Sequence, residues 1–175
     1  LFKEAHIAGW RGGLAEAKGV GMKLVDIIDA SSVIPELKST TRNGVIRELV
    51  QSLADHGAVD PEAAETAAKA AIRRENTGTT GIGKGVAVPH AKHKCIKKIT
   101  ATIGRSSRGV DFAALDRAPV YSVVLLLSPE KAHDDHLAAM EKIFRQLQRE
   151  QFRKWLRQAD TSEKILDLIR ETDEF

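Results

Sequence analysis

The stretch that most constrains the fold is YSVVLLLS, from Tyr121 to Ser128. A nearly continuous apolar run of this length, stopped by Pro129, is what a strand buried on both faces requires. The patterns around it are mostly helical. Val45, Ile46, Leu49, Val50 and Leu53 recur at helical spacing, with Ser39, Thr40 or Thr41 placed to cap the helix. Asp60-Pro61-Glu62 reads as a second helix start, with a capping carboxylate, a proline in the first turn and an acid at the positive end of the dipole. The alanine-rich run behind it carries that helix to about Arg73 or Arg74. Further on, Leu137, Met140, Phe144 and Leu147 form a stripe between Ala132 and Gln148. Phe152, Trp155 and Leu156 suggest a short helix, and a last one, capped near Thr161 or Ser162, buries Ile165, Leu166 and Ile169.

Strand signals lie between these helices. Ile99, Ala101 and Ile103 alternate with Thr100 and Thr102, and Gly109 then marks a turn. Val86, Ala87 and Val88 form a brief buried strand ended by Pro89, while MKLVDIID from Met22 and the extended SSVIPEL segment precede the first long helix. Helices interleaved with strands predict an α/β layered domain, and 175 residues are most simply one such domain. Residues 1–21 carry separate glycine interruptions and read as an N-terminal extension or linker before a domain at 22–175.

Composition excludes more than it selects. A formal net charge of +3 without a concentrated basic stripe or a recognisable module gives no nucleic-acid reading. No apolar run approaches the length of a membrane span. The single cysteine, Cys95, excludes an intramolecular disulfide and fits a reducing cytoplasm. Lys92, Lys94, Lys97 and Lys98 around it would lower the thiol pKa.

Chemistry concentrates at Gly78 to His93, where a glycine-rich loop runs into the short Val86–Val88 strand and presents His90 after Pro89. Three readings compete. Gly78 to Lys84 fits the spacing of a nucleotide phosphate loop, but Gly85 stands where a hydroxyl is needed and an extended segment follows where a helix should start. A metal site could use His90, His93, His133 and His136, which form two pairs at the same spacing, although nothing in the sequence brings the pairs together. The third reading is nucleophilic catalysis by the imidazole, with a hydrogen bond to one ring nitrogen fixing the tautomer that attacks through the other.

From Arg74 to His90 the chain reads RENTGTTGIGKGVAVPH, followed by GVDFAALDRAPV (Gly109 to Val120), the apolar run Val123 to Leu127, and DDHLAAMEKI (Asp134 to Ile143). Together these segments resemble the enzyme IIA domains of the bacterial phosphotransferase system, fructose, mannitol and nitrogen-regulatory type. The resemblance implies a mixed sheet of about five strands flanked by helices on both faces, with the active site at the strand ends. It implies that His90 takes a phosphoryl group from phospho-HPr or a paralogue and passes it to a cysteine of an enzyme IIB domain, without metal or cofactor. It implies charge stabilisation by Arg74 and phosphoryl positioning by His136, while His93 and His133 fall outside the matched pattern and stay unassigned. Lys84 departs from it, occupying a position more often polar or acidic.

Two alternatives remain beside this reading. Some relatives of this kind act as phosphorylation-dependent regulatory switches, without sugar transport. GVDFAALDRAPV and the PHAK start at Pro89 lean towards the fructose branch. A different class would be a non-catalytic metal-binding or interaction module using the histidines. The lysine cluster after His90 admits both a site reading and a solvated loop, and Arg145, Arg149, Arg153, Lys154 and Arg157 read as solvated helix faces.

Overall fold

The computed structural model describes residues 21–174, and within it the apolar run lies inside the sheet. The extension expected at residues 1–21 lies outside the described residues except for Gly21. In chain order the elements are α1 (Leu24–Ile27), α2 (Arg42–Asp55), α3 (Ala64–Thr77), β1 (Gly81–Gly83), β2 (Val86–Ala87), β3 (His90–His93), β4 (Thr100–Val110), β5 (Val120–Pro129), α4 (His133–Leu147), α5 (Glu150–Gln158) and α6 (Ser162–Asp173). The sheet is mixed and five-stranded, as the resemblance implies.

On one side of β5, β2 runs parallel to Ser122 and Val123, and β3 runs parallel to the stretch from Leu126 to Pro129. Pro89 therefore interrupts the strand that it was expected to end. Its carbonyl accepts the Leu126 N–H at 3.0 Å, and a proline offers the ladder nothing else. On the other side β4 pairs antiparallel over Thr100 to Arg105 and rejoins at Val110. Gly109 lies inside that strand, at the register shift, and is not a turn: its φ of 85° suits glycine, and a Cβ there would sit 2.8 Å from Pro119 Cβ. The free edge of β4 is covered by the segment 28–41, through parallel bridges from Ile28 to Ala101, Ile34 to Gly104 and Thr41 to Asp111.

Alternation along β5 assigns the two faces. Val123, Leu125 and Leu127 pack with Val45, Ile46 and Leu49 of α2 and Ala67, Ala68 and Ala71 of α3. Val124 and Leu126 pack on the opposite face with Leu24 and Ile27 of α1, Met140 and Ile143 of α4, Phe152 and Leu156 of α5, and Ile165 and Ile169 of α6. Helices cover both faces because β5 is apolar on both.

Helix ends and faces follow local chemistry, with four corrections. Thr41 Oγ1 accepts from Gly44 N at 3.1 Å, and Thr161 Oγ1 from Lys164 N at 3.2 Å. Asp60 holds the expected N-cap position but makes no capping bond there. The Pro61–Ala63 turn is a tight 3-10 turn, and the Asp60 carboxylate pairs with Lys97 at 2.8 Å. α3 continues to Thr77, past the end expected near Arg74, until Gly78 breaks it. Leu137, expected in the α4 stripe, is 65% exposed, and that face is completed by His136, Ala139 and Ile143. In α6 the buried position is Leu168, with Leu166 only partly covered.

Candidate active site

The break at Pro89 restarts the edge strand at His90 with the same alternation. Ala91 belongs to the α2–α3 face, so His90 and Lys92 point to the other face, where α4 begins. α4 contributes His133 and His136, three residues apart and therefore on one side of its first turn. The two elements meet as two pairs. His90 lies beside His136, with ring centroids 5.6 Å apart and planes tilted by 48°. Lys92 Nζ donates to His133 Nδ1 at 2.9 Å.

One hydrogen bond orients each imidazole of the first pair. His90 Nδ1 lies 2.8 Å from the Val88 carbonyl. A carbonyl only accepts, so Nδ1 carries the proton and Nε2 keeps its lone pair. His136 Nδ1 is 2.7 Å from Ser128 Oγ, at the end of β5 and opposite Lys92 in register. Burial lowers the His90 pKa from its ordinary value; the Val88 bond opposes this, the positive Arg74 lowers it further, Glu75 opposes, and Lys92 lowers it again. Burial, then His90, Lys92 and His133, take His136 down to about 4. Both rings are therefore neutral at neutral pH. His90 keeps an unprotonated Nε2, and His136 can donate or accept through Nε2.

Arg74 occupies the last turn of α3, where Nη1 donates to the Gly78 carbonyl at 2.8 Å. That bond ties an exposed guanidinium to the start of the glycine loop, and its charge reaches His90. The loop is a hairpin connection between β1 and β2, with left-handed Gly83 (φ 96°), Lys84 (φ 59°) and Gly85 (φ 78°). No helix follows it, as the rejection of a nucleotide loop requires. Lys84 N donates to Asp116 Oδ2 at 2.8 Å.

Sequence reasoning missed Glu75, Ser128 and the particular part played by Lys92. Glu75 is 1% exposed, and its two carboxylate oxygens accept from Thr80 N at 2.7 Å and Thr80 Oγ1 at 2.6 Å. It thereby pins the chain leaving α3. The signal was present: Glu75 continues the buried stripe of Ala64, Ala67, Ala68 and Ala71 at helical spacing. Lys92 could have been found from its two-residue distance to His90.

The four-histidine metal reading is corrected. Among the described residues no group of three or more His, Cys, Asp or Glu side chains is placed to hold a metal ion. His93 belongs to the alternate side of β3, and its Nδ1 accepts from Cys95 N at 3.0 Å. The Cys95 thiol is also corrected, since burial pushes its pKa up and not down.

The chain matches the family described as Phosphoenolpyruvate-dependent sugar phosphotransferase system, EIIA 2, over residues 26–172. It belongs to that family. Such EIIA domains are phosphoryl-transfer carriers that partner with an EIIB domain. The PTS system fructose-specific EIIA component of Haloferax volcanii is 33% identical over 156 residues, covering 86% of this chain and 100% of that protein. A nitrogen regulatory protein of Bradyrhizobium diazoefficiens is 32% identical over 148 residues, covering 85% and 95%. The fructose-specific EIIABC component of Bacillus subtilis is 32% identical, and 87% of this EIIA chain spans 24% of its length. Among solved structures, the nitrogen regulatory protein IIA-Ntr of Neisseria meningitidis aligns with a TM-score of 0.74 at 25% identity, covering 82% of this chain and 97% of that one. The fold also matches the complex of enzyme IIAMTL and phosphorylated enzyme IIBMTL from Escherichia coli, with a TM-score of 0.69 at 19% identity, covering 83% and 99%. Among the described residues no helix is long and apolar enough to cross a membrane.

Proposed function

We propose that this EIIA chain carries a phosphoryl group on His90 Nε2, taking it from phospho-HPr or a paralogous phosphohistidine carrier and passing it to an EIIB domain. The observation that supports this most directly is the Val88 carbonyl 2.8 Å from His90 Nδ1, which leaves Nε2 unprotonated. In the first transfer the Nε2 lone pair attacks phosphorus as the donor's P–N bond breaks, and the donor imidazole leaves with that electron pair. The Nδ1–H stays on the Val88 carbonyl, which offsets the positive charge developing on the ring. In the second, a thiolate of the EIIB domain attacks phosphorus, and the electron pair of the P–N bond returns to Nε2. Both steps depend on positioning and charge. His136 positions a phosphoryl oxygen through Nε2, and Arg74 adds a planar fork of donors at the mouth of the glycine loop. The carrier unit is residues 22–175, working in the cytoplasm with residues 1–21 outside it.

Incubation with phosphoenolpyruvate, enzyme I and HPr from the same source adds one acid-labile phosphoryl group by intact mass, and the His90→Ala variant gains none. A His90→Ala variant labelled like the wild type sinks the assignment.

Transport through a fructose-type EIIB domain is the favoured branch, on the GVDFAALDRAPV segment and the PHAK start. The second reading is a regulatory switch, favoured by the similarity to nitrogen regulatory proteins in sequence and fold. Identities of 33% and 32% do not separate the two. A pull-down with phosphorylated and unphosphorylated protein separates them: an EIIB domain recovered with the phosphorylated form supports transport, and a kinase or transporter without any EIIB domain supports the switch.

A further inference from the structure

β3 and the first turn of α4 form a two-by-two arrangement of which the phosphocarrier reading uses one row. His90 and Lys92 share one side of β3, His133 and His136 share one side of α4, and each strand residue meets one helix residue. The second row is an unusual partnership. Among the described residues Lys92 makes no ion pair with a carboxylate. Its recorded partner is an imidazole nitrogen, which accepts a hydrogen bond only when that nitrogen carries no proton. The ammonium is therefore held in place by a neutral group, and its charge is left uncompensated beside His90. That charge acts on both His90 and His136.

We propose that Lys92 is a phosphoryl-binding residue of this site and that His133 is its positioning residue, keeping the ammonium over the His90–His136 pair until a phosphoryl group arrives. The inference rests on the proposed phosphorylation of His90. A phosphoryl dianion on Nε2 is a stronger acceptor than a neutral imidazole nitrogen, so the ammonium exchanges His133 Nδ1 for a phosphoryl oxygen. The short reach follows from strand geometry, because side chains two residues apart stand about 7 Å apart on one face and a lysine stem spans that distance. His133 then loses its hydrogen-bond donor, so the state of His90 is reported at His133.

The test compares wild type with Lys92→Met, Lys92→Arg, His133→Ala and His90→Ala, each phosphorylated by phosphoenolpyruvate, enzyme I and HPr. The equilibrium between phospho-HPr and the phosphorylated protein is read by intact mass, and the ring nitrogens by 15N NMR. Lys92→Met still receives one phosphoryl group, with an acceptance equilibrium at least about tenfold weaker, the scale of one charge-assisted hydrogen bond. Lys92→Arg recovers most of that loss, His133→Ala loses less than Lys92→Met, and the wild-type His133 Nδ1 resonance moves on phosphorylation. A purely structural Lys92 would alter Tm and leave this equilibrium and the His133 resonance unchanged, which overturns the proposal while leaving His90 as acceptor. A wild-type protein that takes no phosphoryl group from phosphorylated HPr removes the phosphocarrier reading, and this inference with it.

Discussion

On the α2–α3 side of the sheet, Val123, Leu125 and Leu127 meet apolar helix faces, and Glu75, buried near the end of α3, has both carboxylate oxygens filled by Thr80. On the α4–α6 side, Val124 and Leu126 do the same until β5 ends, where Ser128, His136, His90 and Lys92 replace apolar contacts. Each imidazole of the His90–His136 pair has one ring nitrogen engaged and the other left over. The two sides bury polar groups to different ends. A buried group whose hydrogen-bonding capacity is used up holds structure. A half-buried group with one orienting bond and one spare nitrogen is ready for chemistry.

Three experiments can break or sharpen that contrast. The largest effect is expected in the apolar half: Leu125, 0% exposed, should cost roughly 2–5 kcal/mol as Leu125→Ala by urea unfolding. Phosphoryl acceptance by the folded fraction should be unchanged, and a loss of acceptance there would mean that the two sides are not separable.

Next comes pH. His136 falls from an ordinary 6.5 to about 4 in the folded protein, so between those values the unfolded chain binds a proton that the folded one refuses. Stability should therefore drop as pH falls from 6.5 towards 4, by about 3 kcal/mol at about 1.4 kcal/mol per pKa unit. Unfolding midpoints across this window should show the drop, and His136→Asn should flatten it. An unchanged slope in the variant would assign the effect elsewhere.

The smallest of the three is Glu75→Gln, which keeps the volume and removes the charged acceptor from two Thr80 donors. A loss of roughly 1–3 kcal/mol is expected, with phosphoryl acceptance lowered only as far as the glycine loop shifts. If Glu75→Gln abolished acceptance while leaving the fold intact, the saturated side would be part of the chemistry.

Much of this was readable from patterns of residues. β5 and its double burial, the helices at α2, α3, α4, α5 and α6, and the threonine caps follow from apolar spacing and from which side chains can accept a terminal N–H. Arg74, His90 and His136 entered as candidates because the matching segments stand in order along the chain, and the fold brings His90 and His136 side by side. The failures are those of local rules meeting tertiary alternatives. Asp60 had a distant lysine to pair with, Pro89 needed only a carbonyl to stay in the sheet, and Gly109 found its left-handed φ inside a bulged strand. Leu137 lies one position off the buried face of α4, which runs through His136, Ala139, Met140 and Ile143, so the stripe as drawn placed it on the wrong side.

Period and composition by themselves determined that this chain forms an α/β layered domain around a strand buried on both faces, because alternation and helical spacing are properties of neighbouring residues; the five-stranded mixed sheet flanked by helices on both faces was implied by the resemblance. The pairing of His90 with His136 and of Lys92 with His133, the neutrality of the rings and the saturation of Glu75 were decided only in three dimensions. Hydrogen bonds between residues such as Lys92 and His133, and the burial that holds an imidazole unprotonated, depend on which elements the fold brings together.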